Sequence, residues 1–152
     1  MAFDGDGDRV GVITEQGEMI FPDKLLMLFA EDVISRNPRA EIIYDVKCTR
    51  LLDPFIHTLG GTPTMWKTGH SLIKAKMKSE QAVLAGEMSG HMFFADRYFG
   101  YDDAIYASCR LVEILAKTTR PLSALVADLP KTSVTPEIRV DVSDSIKFEL
   151  VR

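Results

Sequence analysis

Between residues 40 and 95 the chain alternates short β-branched or apolar runs with stretches of helical period, and glycine or a polar cluster marks each change. Ile42-Ile43-Tyr44-Asp45-Val46 reads as a buried strand. Thr49 is placed to cap a helix whose Leu51, Leu52, Phe55, Ile56 and Leu59 share one face, and Gly60-Gly61 ends it. A strand over Thr62 to Trp66, a helix from Gly69-His70-Ser71 through Met77, a strand from Ala82 to Ala85 and the run Met92-Phe93-Phe94 follow. The economical fold is α/β: a layered, mixed or mostly parallel sheet of about four strands flanked by helices.

The flanking segments extend this pattern. Val10 to Thr14 and Glu18-Met19-Ile20 suit a hairpin around Glu15-Gln16-Gly17. Phe21-Pro22-Asp23 opens a helix that ends near Asn37-Pro38, and Asp102-Asp103 begins a last long helix to about Lys117. From Pro130 onward the chain reads as a linker followed by strands at Ile138 to Val142 and Phe148 to Val151. This predicts a division into a loop remnant of a preceding domain at 1–14, an α/β domain at 15–128, and a linker with the first strand of a following domain at 129–152, as in a piece of a longer enzyme.

A net charge of −4, with no basic stripe, gives no reason to expect a nucleic acid partner. No apolar run is long enough to span a bilayer, so no membrane partner is expected. An acidic loop follows Met1 directly, unlike a signal peptide, and Cys48 and Cys109 lack metal-type spacing. Two reduced thiols in a cytoplasmic protein are expected.

That acidic loop carries Asp4, Asp6 and Asp8 at alternate positions, separated by Gly5 and Gly7 and closed by Arg9. Three carboxylates so close repel one another unless a cation sits among them, and a hard divalent ion such as Mg²⁺ is the natural guest. Asp4, Asp6, Asp8 and Glu15 also fall at ligand positions of an EF-hand. Arg9, where that loop needs glycine, and the strand-like Val10-Gly11-Val12-Ile13 argue against it. A phosphatase with an aspartyl nucleophile would place that residue just after a buried strand, and almost nothing precedes Asp4.

Ligands of α/β sheets bind beyond the carboxyl ends of parallel strands. Three polar segments fall there: Asp45-Val46-Lys47-Cys48-Thr49, Lys67-Thr68-Gly69-His70-Ser71 and Gly86-Glu87-Met88-Ser89-Gly90-His91. Glu87 can accept hydrogen bonds from two adjacent sugar hydroxyls, and Ser89 can serve a neighbouring one. Lys47 is a positive donor. His70 and His91 bind phosphate when charged or move a proton when neutral. His57 lies inside a helix and reads as structural, Trp66 as packing, and Lys74, Lys76 and Lys78 as a solvated helix face.

Phe3-Asp4-Gly5-Asp6-Gly7-Asp8-Arg9 resembles the metal loop of the α-D-phosphohexomutases, and Gly86-Glu87-Met88-Ser89-Gly90-His91 resembles their sugar-recognition loop. Met88 followed by Ser89-Gly90-His91 looks most like the bacterial phosphomannomutase/phosphoglucomutase branch, which Asp45 to Arg50 and Trp66 to Lys74 also match. The phosphoglucosamine branch more typically carries Gln at that methionine.

The resemblance implies a four-domain enzyme that moves a phosphoryl group between the 1- and 6-positions of mannose or glucose through an active-site phosphoserine, with a hexose 1,6-bisphosphate as intermediate. Asp4, Asp6 and Asp8 would hold Mg²⁺, Arg9 would sit beside the phosphoserine, and Lys47, His70, Glu87, Ser89 and His91 would contact the phosphorylated hexose. Lys47 or His70 would transfer the proton. The family's Thr-Ala-Ser-His-Asn-Pro type loop is absent from these 152 residues. The resemblance thus implies the end of domain two, domain three and the start of domain four, a stretch inactive without the other domains of the polypeptide. A metal loop that frays without its phosphoserine is expected, and a non-catalytic sugar-phosphate binding module or a phosphoglucosamine mutase are the alternative readings.

Overall fold

The computed structural model describes residues 1–132, 141–143 and 146–150. Its first strands are short and antiparallel: β1 (Ala2–Phe3) pairs with β2 (Val10–Ile13), which pairs with β3 (Met19–Ile20). Helix α1 (Pro22–Arg36) follows, with proline in its first turn, where the missing N–H costs nothing.

The central sheet begins with β4 (Glu41–Asp45), followed by α2 (Leu52–Thr58), β5 (Thr62–Trp66), α3 (His70–Glu80), β6 (Leu84–Gly86) and β7 (Met92–Phe94). Its order is β5-β4-β6-β7. Strand β4 runs parallel to both β5 and β6, and β7 closes the edge antiparallel to β6. This is the mixed, mostly parallel four-stranded sheet expected.

Side chains alternate across it with the period of two that strands impose. Ile42, Tyr44, Leu84, Met92 and Phe94 face one core, together with α1, α2 and the next helix, α4 (Ala104–Ala116). Ile43, Ala85 and Phe93 face the other, where Ile73 and Met77 of α3 cover them and Trp66 packs at the margin. With helices on both faces, β4 is buried along nearly all its length, which explains its unbroken apolar run. Val10, Val12 and Ile20 also enter the larger core, so the hairpin is continuous with the main body.

Several boundaries differ from expectation. Helix α2 starts at Leu52 rather than from a Thr49 cap, because the Thr49 amide donates to Asp23 Oδ2 and its hydroxyl accepts from the Leu51 amide. Asp103 alone caps α4, accepting from the Tyr106 amide at 2.8 Å, and Asp102 stays outside the helix. A further helix, α5 (Leu122–Ala127), follows Pro121. Where a strand was expected over Phe148 to Val151, α6 (Lys147–Leu150) forms a single turn closed by bonds from the Glu149 and Leu150 amides to Ile146 O. Local hydrogen bonds satisfy that backbone, and among the described residues no strand pairs with it. Val151 and residues 138–140 of the other expected strand lie outside the described residues.

Candidate functional site

The carboxyl ends of β4, β5 and β6 open onto one rim, and hydrogen bonds join the three loops there. Asp45, the last residue of β4, is fully buried. Its carboxylate accepts from Cys48 Sγ at 3.0 Å, Thr68 Oγ1 at 2.9 Å and the Met88 amide at 3.2 Å. The Val46 amide donates to Trp66 O at 3.0 Å. Lys47 sits exposed at the tip of the resulting turn, with no ion-pair partner among the described residues.

Glu87 is 2% exposed and accepts the Gly69 amide on Oε1 at 2.5 Å. Gly69 adopts φ 132°, which a side chain disfavours, and this turns its N–H toward Glu87 as α3 begins. Glu87 therefore does not present two free oxygens: one is held by backbone, and Oε2 is left for a ligand. Ser89 is exposed. Gly90, at φ 102°, lets the loop touch β2, because a Cβ there would come within 3.1 Å of Val10 O, and the Val10 amide donates to Gly90 O at 3.1 Å.

This contact brings the acidic loop to the rim. Arg9 bridges His91 in antiparallel fashion. The His91 and His70 rings stack with centroids 5.8 Å apart. His91 Nδ1 lies 3.0 Å from Asp102 Oδ2 and 3.6 Å from Asp8 Oδ2, outside hydrogen-bond geometry. Asp102 also receives Lys74 Nζ at 3.0 Å on Oδ1, with His70 Nδ1 at 3.9 Å from Oδ2. Desolvation raises the Asp102 pKa, but hydrogen bonding and charge from Lys74 outweigh it and hold it below the usual range.

The acidic loop is tied rather than frayed. Asp4 accepts the Arg9 amide on Oδ1 at 3.1 Å and Arg9 Nε on Oδ2 at 2.6 Å, and Gly7 O accepts the Ala104 amide at 3.1 Å. For Asp4 desolvation is opposed by the Arg9 amide and guanidinium, which bring its pKa down to about 2. Asp8 goes the other way: desolvation raises it, and Asp6, Asp4 and Asp102 add to the rise against the pull of His91. One oxygen from each of Asp4, Asp6 and Asp8 lies within 4.8 Å of the others, and Asp8 Oδ1 is buried without a hydrogen-bond donor. A buried carboxylate oxygen lacking a donor, beside two further acids, fits a hard divalent cation.

The structure thus gathers Asp4, Asp6, Asp8, Arg9, His70, Glu87 and His91 along contiguous loops, and Lys47 and Ser89 onto the same loop set. His57 is exposed near Asp53 and belongs elsewhere. Lys74 departs from the solvated face expected of it and turns to Asp102, while Lys76 lies over the Trp66 ring at 4.4 Å. Asp45 and Thr68 lie in segments expected at the rim, but no individual role was expected of them or of Asp102. The adjacent Asp102-Asp103 pair held the signal, since a helix needs only one capping acid.

Over residues 21–133 the chain matches the family described as phosphoglucomutase/phosphomannomutase, alpha/beta/alpha domain III. It is 59% identical over 151 residues to a phosphomannomutase/phosphoglucomutase of Pseudomonas putida, covering 99% of this chain and 33% of that protein. A phosphoglucomutase of Neisseria gonorrhoeae is 53% identical over 144 residues, covering 95% of this chain and 31% of the relative. A solved phosphoglucomutase/phosphomannomutase family protein from Burkholderia thailandensis superposes with a TM-score of 0.85 at 61% identity, covering 89% of this chain and 29% of that one. The chain spans about a third of the length of the curated relatives it matches.

Proposed function

The chain belongs to the phosphoglucomutase/phosphomannomutase family, and from that premise we propose that its residues form the sugar-recognition and metal-binding parts of a mutase interconverting hexose 1-phosphate and hexose 6-phosphate. The observation that carries this reading is the junction of acidic loop and recognition loop at the Arg9 and His91 bridge, with Asp8 Oδ2 3.6 Å from His91 Nδ1. Phosphoryl transfer needs charge neutralisation and positioning of the sugar in one place, and this junction supplies groups for both.

In this reading Glu87 Oε2 accepts from a sugar hydroxyl, the Ser89 hydroxyl accepts from or donates to a neighbouring one, and the buried Gly69 contact keeps Glu87 from swinging away. Lys47 and His70 take the substrate phosphate, one of them also serving proton transfer. His91, with Nδ1 turned to Asp102, leaves Nε2 for the ligand. Asp4, Asp6 and Asp8 would hold Mg²⁺, which when bound neutralises phosphoryl oxygens. Arg9 lies beside that position for a serine phosphate. The sequence has no Thr-Ala-Ser-His-Asn-Pro type loop, so the serine that exchanges phosphate with a hexose 1,6-bisphosphate is assigned to another part of the polypeptide. The unpaired thiols of Cys48 and Cys109 suit a reducing compartment, and we place the enzyme in the cytoplasm. Among the described residues no helix is long and apolar enough to cross a membrane.

The test is a titration of isotope-labelled protein with mannose 1-phosphate and glucose 1-phosphate. Amide shifts confined to residues 45–49, 67–71 and 86–91 are expected, without turnover of either sugar phosphate by the 152 residues alone. Absence of shifts, or their appearance elsewhere, would overturn the reading.

A further inference from the structure

We infer that Asp45 is the positioning residue of the rim: through hydrogen bonds from uncharged donors its buried carboxylate sets the Lys47, His70 and Glu87 loops in one mutual geometry. The inference rests on the reading of those loops as the sugar-phosphate contacts.

The case starts from what a buried carboxylate requires. Asp45 is fully buried with no Lys, Arg or His ion pair among the described residues, a placement that is costly unless hydrogen bonds satisfy it. Its three partners come from three different segments. Cys48 Sγ closes the turn that carries Lys47. Thr68 Oγ1 belongs to the segment that turns at Gly69 into His70. The Met88 amide lies between Glu87 and Ser89. The Cys48 thiol is pushed up far above its usual range, by burial first and by Asp45 next, so it remains a donor. Each loop is thereby indexed to the end of the central strand β4, rather than to its neighbours alone. Gly69 and Glu87 then lock a second time through their own 2.5 Å bond.

Asparagine separates positioning from charge. In Asp45→Asn the amide oxygen can still accept from Met88 and Cys48, and the NH₂ can donate to the Thr68 hydroxyl. Asp45→Ala removes every tie, and Thr68→Val removes one while leaving the carboxylate and a half-exposed surface, so it stays folded even where alanine does not.

The experiment has two readouts on the 152-residue chain. Without ligand, amide exchange at Gly69 and Met88 is compared with exchange at Thr62 and Ala95, whose bonds to Ala40 O and Val83 O lie at the far end of the sheet. Asp45→Ala and Thr68→Val should speed exchange at Gly69 at least about tenfold over those references, and Asp45→Asn should restore it to within about threefold. With glucose 1-phosphate, affinity should fall about tenfold in Asp45→Ala and Thr68→Val and recover in Asp45→Asn. Uniform acceleration at all four amides, or an asparagine variant as impaired as alanine, would overturn the inference. Wild-type protein that binds no sugar phosphate would remove the functional reading, while the exchange pattern still decides what Asp45 does.

Discussion

The Gly69 amide donates to Glu87 Oε1 at 2.5 Å, so the acid proposed to read the sugar is itself oriented by the residue that opens α3. Glu87→Gln keeps an acceptor for that amide and loses only the charge. Folding stability should change by less than about 1 kcal/mol, and glucose 1-phosphate affinity should fall about tenfold, since charge-assisted bonds to hydroxyls are the stronger kind. Urea unfolding and ligand titration of the same variant check both halves. Unchanged affinity would remove Glu87 from the site.

At the end of β6, Gly86 admits no side chain. A Cβ there would meet Leu26 Cδ2 at 2.9 Å and Met92 Sδ at 3.1 Å. Gly86→Ala should cost about 1–3 kcal/mol through overpacking. Leu26→Ala opens the same space, so the double variant should lose about 1 kcal/mol less than the two single losses added together. A denaturant double-mutant cycle measures that coupling, and strict additivity would place the clash elsewhere.

Arg110, with its side chain 4% exposed, joins α1 to the loop after β7 through Asp32 and Asp96. For Asp32 desolvation is outweighed by hydrogen bonds from Arg36, Arg110 and Lys117, which bring its pKa to about 2, and Asp96 is lowered by Arg36 and Arg110 against the same desolvation. A folded value below the ordinary 3.8 means the carboxylate stabilises the fold above about pH 4 and ceases to do so as pH falls toward 2. Asp32 should account for on the order of 2 kcal/mol over that interval. Urea midpoints from pH 6 to pH 2 should drop steeply for the wild type and less steeply for Asp32→Asn, which starts lower at neutral pH. Parallel curves would exclude Asp32 as the source.

The layered fold was legible because β4 is buried on both faces and writes an unbroken Ile42-Ile43-Tyr44, while α1 and α3 show helical spacing. Strand β5 runs over Thr62–Trp66 as expected, and β6 starts two residues later and ends one later than expected, at Leu84–Gly86. Loop residues with unusual chemistry, such as Glu87 and the three acids, announce themselves by type and spacing. Asp45, Asp102 and Lys74 do not, since each acts through partners far away in sequence: Met88 stands 43 residues beyond Asp45, and Asp102 stands 28 beyond Lys74. A local reading sees a strand end, a helix start and a solvated lysine. The helix α6 was missed for the opposite reason: alternating polar and apolar residues promise a strand only where another pairs with it, and among the described residues none does.

Arg9 occupies both oxygens of Asp4, one through its amide and one through Nε, and this should govern how the acidic loop takes a cation. Asp8 brings a buried oxygen without a donor, so Asp8→Asn should reduce Mg²⁺ affinity at least about tenfold by removing the charge that points at the ion. Arg9→Ala should act in reverse, freeing Asp4 Oδ2 and removing a positive charge from the loop, and should tighten Mg²⁺ binding about two- to fivefold. The same change should let the Asp4 pKa climb from about 2 toward the ordinary carboxylate range. His91→Gln separates this loop from the neighbouring group of Asp8, His91 and Asp102, whose ligand atoms also lie within 4.8 Å of one another. If the cation sits among the three acids of the loop, His91→Gln leaves Mg²⁺ affinity within about threefold, because hard oxygen ligands and not imidazole hold Mg²⁺. Titrations followed by amide shifts of Gly5 and Gly7 decide it, and a His91→Gln loss as large as that of Asp8→Asn would move the ion to the second group.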